Sequence, residues 1–162
     1  MKYLILLFAL PLAVVVSSSH PLNESTQKGP TMKAQGTFDV KITAQTPPDQ
    51  TNEPFERLLI AKQFHGDLEA TSKLQMLGSR GSVEGSGGYV ALELVTGKLS
   101  GKSGSFVLQH KGTMSKGAFT IDVTVVPDSG TDQLTGLSGS MAIVIEGNKH
   151  SYSFEYTLPP DK

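Results

Sequence analysis

The sequence predicts an all-β protein, a closed eight-stranded antiparallel meander barrel, on three observations. From Gly36 onward apolar residues recur at every second position, the signature of strands with one buried face. Gly- and Pro-rich breaks separate these runs at short intervals. No helical periodicity of any length follows residue 31, and Glu53–Leu59 has room for one turn at most.

Taken in order, the chain opens with a targeting pattern. Met1-Lys2 gives a positive start, Tyr3 to Val16 is almost wholly apolar, and Ser17-Ser18-Ser19 supplies small residues before polar His20-Pro21. This predicts a signal peptide over residues 1–19 and a secreted or periplasmic protein. The run falls short of the roughly 20 residues of a membrane span and contains Pro11, so no stable membrane insertion is expected after cleavage. Asn23-Glu24-Ser25 matches the N-glycosylation pattern. Residues 20–33, polar and aperiodic, read as a flexible tether, and residues 34–160 as the β-barrel domain.

Within that domain Phe38, Val40, Ile42 and Ala44 alternate with polar residues, as do Phe119, Ile121, Val123 and Val125, and Tyr152, Phe154, Tyr156 and Leu158. Arg57–His65, Leu68–Leu77, Tyr89–Gly97, Ser103–Lys111 and Met141–Glu146 complete the eight strands. Pro47-Pro48-Asp49, Gly85-Ser86-Gly87-Gly88, Gly101, Gly117 and Pro127-Asp128-Ser129-Gly130 separate them, and Glu146-Gly147-Asn148-Lys149 is a tight hairpin. Short turns between sequential strands favour closure into a barrel, which removes exposed edges, over the alternative two-sheet sandwich.

Composition narrows the chemistry. The chain has 162 residues, no Cys and a formal net charge of −1. The missing Cys excludes disulfides, thiolate catalysis and Cys-based zinc sites. The near-zero charge argues against nucleic acid as a partner. The four His show no metal-ligand spacing, so neither metal nor cofactor is expected. Gly97-Lys98-Leu99-Ser100-Gly101-Lys102-Ser103 looks like a phosphate loop, but it has three residues between its glycines where the motif needs four, and it leads into a strand. It is read as a hairpin turn.

Longer motifs carry a family resemblance. Phe64-His65-Gly66-Asp67-Leu68-Glu69-Ala70-Thr71-Ser72, Gly88-Tyr89-Val90-Ala91, Gly104-Ser105-Phe106-Val107-Leu108-Gln109-His110 and Phe154-Glu155-Tyr156-Thr157-Leu158 resemble a family known as domain of unknown function 3224. The likeness runs from Ala34 to Leu158. It implies a barrel like that of allene oxide cyclase, and it implies no activity and no catalytic residue. Members of that family usually begin near the equivalent of Met32, so the resemblance implies that residues 1–31 are an added export segment.

A small barrel holds either packed side chains or one small ligand, so chemistry is sought among inward-facing polar residues. Glu93, mid-strand in Tyr89–Val95, is the leading candidate; inside a barrel its pKa is expected to rise and suit acid–base work. The stronger apolar stripe of Val90, Leu92 and Leu94 nevertheless favours Glu93 facing solvent. His110 shares a face with Phe106 and Leu108 and is the second acid–base candidate, against the plainer reading of a strand-end His without a role; Gln109 has the opposite parity. Tyr89, Glu93, Phe106, His110, Tyr152 and Tyr156 form the candidate ligand-binding set. Glu69 and Glu155 are expected outside.

The preferred functional expectation is an exported barrel binding a small, mostly apolar molecule. The alternatives are an isomerase or cyclase using an interior Glu or His, resting on fold analogy alone, and a non-catalytic structural or interaction module, with a homodimer as one form.

Overall fold

The computed structural model describes residues 29–45 and 55–160. The expected signal peptide, the glycosylation motif and most of the tether lie outside these residues. The strands are β1 (Met32–Ala44), β2 (Glu56–Gly66), β3 (Leu68–Arg80), β4 (Gly87–Leu99), β5 (Lys102–Ser115), β6 (Ala118–Val125), β7 (Ser138–Glu146) and β8 (Lys149–Thr157). β1 starts two residues inside the stretch read as tether. Each strand pairs antiparallel with its sequence neighbours, and β1 also pairs with β8 from Met32↔Tyr156 to Thr37↔Ser151. That last ladder closes the barrel and excludes the sandwich.

The strands run longer than their alternation alone indicates: β3 continues to Arg80 and β5 to Ser115. The helical turn considered at Glu53–Leu59 does not form over Glu56–Leu59, which lies in β2. A 3₁₀ turn at Asp132–Leu134, which no helical periodicity announces, follows β6. The phosphate-loop lookalike is a hairpin whose Ser100 and Gly101 take φ of 48° and 84°. Positive φ at both central residues marks a type I′ turn, whose twist matches the flanking strands. Lys116-Gly117 repeats this geometry with φ of 50° and 86°.

Alternation sorts side chains into an interior and an exterior, and the two ends of the interior differ. One end carries the β2–β3 and β4–β5 turns and the segment 126–137 between β6 and β7. That segment places Leu134 and Leu137 beneath Leu68, Leu99, Phe106, Phe154 and Tyr156, all at most 3% exposed. It is fastened to β5 by side-chain acceptors: Thr131 Oγ1 takes the Ser105 N–H at 3.0 Å, Ser129 Oγ the Val107 N–H at 3.1 Å, and Gln133 Oε1 the Ser103 N–H at 2.8 Å. Backbone donors that no strand pairs are thus satisfied by the segment that seals this end.

At the other end, among the described residues, cover is thinner. Residues of the same inward parity lose their cover: Ile42 is 60% exposed, Ile145 58%, Phe119 54% and Met114 40%. Leu58, Ile60, Met76, Tyr89, Ile121 and Ile143 are half-buried below them. The interior is a cup with an apolar wall and a packed base.

Only one seam is nearly unpaired. β6 and β7 share the single ladder pair Thr124↔Ser140, while β3 and β4 pair from Leu68↔Leu99 to Arg80↔Gly87.

Candidate functional site: a buried Lys–Glu–His–Ser cluster

β4 presents Tyr89, Ala91, Glu93, Val95 and Leu99 to the interior and Val90, Leu92 and Leu94 to solvent, at 56%, 57% and 50% exposure. The expectation that the apolar stripe faces inward is therefore reversed. Neighbouring strands decide the matter. Glu93 lies opposite Leu74 on β3 and Leu108 on β5, both buried. Residues directly opposite each other share a face, so the inward faces of β3 and β5 fix that of β4.

Glu93 is fully buried and carries three hydrogen bonds. Its Oε2 accepts from Lys62 Nζ at 2.8 Å and from His110 Nε2 at 2.8 Å, and its Oε1 accepts from Ser72 Oγ. Lys62 and Ser72 are themselves cross-strand partners on β2 and β3. Lys62 Nζ also sits 5.0 Å from the centre of the Phe38 ring and 5.6 Å from that of Phe64. Ring faces stabilise a cation that water reaches poorly.

Burial by itself raises the Glu93 pKa. The His110 hydrogen bond, the charge and hydrogen bond of Lys62 and the Ser72 hydrogen bond outweigh it, holding the group below its ordinary value. This corrects the expected rise: the sequence showed the apolar surroundings but not the three donors. Glu93 is thus a standing carboxylate, paired with Lys62 in an ion pair inside the barrel.

His110 stands within β5 and not at a strand end; it is 2% exposed and bound to Glu93. Against a carboxylate oxygen, His110 Nε2 acts as the donor. Among the described residues Nδ1 has no hydrogen-bond partner, and neither has the Tyr89 hydroxyl. Burial raises the Tyr89 pKa and the Glu93 charge raises it further, so this hydroxyl stays protonated as a donor. The Tyr89 ring stacks on Phe119 at 6.4 Å and lies over Gly112, where any Cβ would meet the ring at 2.1 Å. A cavity of about 420 Å³ at this end is lined by Met76, Gly78, Tyr89, Gly112, Met114 and Phe119 among others.

The structure divides the sequence-derived set. Tyr89, Glu93 and His110 share the inward face, Glu93 and His110 buried and Tyr89 half-buried nearer the mouth. Phe106 and Tyr156 belong to the sealed base, 1% and 3% exposed. Tyr152 is buried too, its hydroxyl accepting the Leu68 N–H at 2.8 Å and donating to the His65 carbonyl at 3.3 Å. Gln109, Glu69 and Glu155 face solvent. Sequence reasoning missed Lys62 and Ser72. The signal for Lys62 was present: it stands at the two-residue step between Ile60 and Phe64, a cation in an apolar register.

Among the described residues no three of His, Asp and Glu come together as a metal would require. A wider depression of about 1120 Å³ lies mainly along the outside of β2–β5, where Leu59, Leu77, Val90, Leu92, Leu94 and Val107 line it.

The sequence profile described as "Protein of unknown function (DUF3224)" matches residues 34–156. A crystal structure of a DUF3224-family protein with unknown function from Shewanella oneidensis MR-1 is 44% identical, covering 82% of this chain and all of that one, with a TM-score of 0.74. No curated protein matches the chain. The β-barrel of residues 34–156 belongs to the DUF3224 family.

Proposed function

We propose that this protein binds a small, mostly apolar molecule in the open cup of its barrel. The observation that carries the reading is the gradient of cover over inward-facing side chains, from Phe154 at 0% to Ile42 at 60%. Apolar residues of one face exposed around a concave mouth form the kind of surface that ligands fill. A cavity of about 420 Å³ at this mouth, lined by Met76, Tyr89, Met114 and Phe119 among others, is of the size that small ligands occupy. The N-terminal segment supports export as the setting for this binding.

Native mass spectrometry of the purified protein, after incubation with a lipid and small-metabolite extract, tests the reading. The expected result is a retained mass of roughly 150–350 Da, the size a cup of this volume takes. Failure to retain any mass, with bulky substitutions in the cup such as Ala91→Leu leaving every property unchanged, overturns it.

A second reading, an interaction module, is favoured by the outer stripe of Val90, Leu92 and Leu94. Apolar stripes exposed on a sheet are common at contacts between chains. Sedimentation velocity decides it: a dimer dispersed by Leu92→Lys supports this reading, and a monomer at all concentrations removes it.

A further inference from the structure

We infer that the mouth cavity receives a flat aromatic ring, seated over Gly78 and against Tyr89 and Phe119. The inference rests on the binding reading above and names the class of molecule that the cup takes.

Two glycines flank Tyr89 and differ in what covers them. Gly78 on β3 and Gly112 on β5 are its cross-strand partners, so the three share the inward face. Gly112 is accounted for by packing: the Tyr89 ring takes the place of its side chain, and a Cβ there would meet the ring at 2.1 Å. Nothing of the kind fills the place at Gly78. An added Cβ would meet nothing nearer than 3.7 Å, and the backbone there is outside the left-handed region. Glycine inside a strand weakens it. Where neither the backbone nor a neighbouring side chain requires one, it marks a place where another molecule comes close. Gly78 lines the cavity of about 420 Å³ at the mouth.

The other walls favour a ring over an alkyl chain. The Tyr89 and Phe119 rings lie within 13° of parallel at 6.4 Å, and Phe119 keeps 54% of its surface free. A third ring extends this stack, and aromatic pairs gain free energy beyond their buried area. Met76 and Met114 line the same cavity, and thioethers make favourable contacts with ring edges. One wall is loop 81–86, fastened to the β5–β6 turn. There the Gly117 N–H donates to the Gly85 carbonyl at 2.9 Å and the Lys116 N–H to Ser86 Oγ at 3.0 Å. A wall already held in place costs a ligand less to order.

The test compares 2-naphthol with decahydro-2-naphthol, its saturated and non-planar counterpart, by equilibrium dialysis against the purified protein at neutral pH. The expected result is 2-naphthol bound about three- to tenfold tighter, the gain that ring stacking supplies. Phe119→Leu, at an exposed position that leaves the fold intact, is expected to bring the two compounds to within about twofold of each other. Gly78→Ala and Gly78→Val, whose Cβ fits with no contact nearer than 3.7 Å, are expected to keep native circular dichroism and to weaken 2-naphthol progressively, Val about fivefold or more. Decahydro-2-naphthol binding as tightly as 2-naphthol overturns the aromatic assignment while the cup stands. An undiminished preference in Phe119→Leu overturns it too, as does 2-naphthol binding that folded Gly78 variants leave unchanged. If neither compound binds, the assignment falls, and the extract experiment decides the binding reading separately: a retained mass keeps the cup, and none removes both.

Discussion

The sealed base and the open mouth are built from the same eight strands, yet one parity gives opposite outcomes at the two ends. At the base, Phe106, Phe154 and Leu99 are at most 1% exposed; at the mouth, Phe119, Ile42 and Ile145 exceed 50%. Strand alternation decides which way a side chain points, and the connections decide whether anything covers it. Segment 126–137 reaches under the base and supplies Leu134 and Leu137. At the mouth, Lys116-Gly117 and Gly147-Asn148 are turns of two residues, and the β3–β4 loop 81–86 reaches only the rim, where the Gly117 N–H donates to the Gly85 carbonyl at 2.9 Å. The same inward parity therefore yields a packed core at one end and exposed apolar side chains at the other.

The sharpest way to break this comparison is at the base. Phe154→Ala removes a fully buried ring packed on Phe106 at 5.8 Å and Tyr156 at 5.2 Å. A loss of about 3–5 kcal/mol is expected in urea unfolding. Leu134→Ala is expected to cost about 2–4 kcal/mol and leave the mouth unchanged. Losses under 1 kcal/mol at both sites mean that the base is not the packed core described here.

Between the two ends lies the cluster. Glu93→Gln leaves Lys62 buried without a counter-ion and is expected to cost about 3 kcal/mol at pH 7. The pH dependence follows in sign. The folded-state pKa of Glu93 lies below its ordinary 4.5, so its contribution is complete above that value and is lost as pH falls through the folded pKa. Unfolding midpoints measured from pH 7 to pH 3 should fall more steeply for the native protein than for Glu93→Gln. Parallel curves contradict the ion pair.

Gly112→Ala is a smaller perturbation, expected to cost about 1–3 kcal/mol because the new methyl group displaces the Tyr89 ring. Tyrosine fluorescence should report the movement. Smallest of all are Leu92→Thr on the outer face and Ile145→Thr at the mouth, each expected within about 0.5 kcal/mol of the native stability. A large loss at Leu92 restores the inward stripe that the structure rejects.

How far the sequence reached is clearest on β4. Its tally of apolar residues pointed Val90, Leu92 and Leu94 inward, and both faces of the run satisfy period two. What settles the face is cross-strand registration with Leu74 and Leu108, which a single strand does not contain. The other strands, their order and the closure were legible because one face of each is plainly apolar. Glu93 and His110 were found because a carboxylate and an imidazole stand out among aliphatic residues. Lys62 and Ser72 were not, because a lysine or serine in a strand ordinarily marks solvent. The direction of the Glu93 pKa was illegible for the same reason: it depends on donors from three other strands.

The thin seam between β6 and β7 bears on where the barrel yields first. Apart from the pair Thr124↔Ser140 these two strands share no ladder pair, while Phe119, Ile121, Ile143 and Ile145 flank the seam on the inward face. The closed wall is therefore stitched everywhere but here by long ladders, and here by one stitch. A wall so made opens along its weakest seam before any other. The amides bordering that seam should exchange hydrogen fastest within the strands.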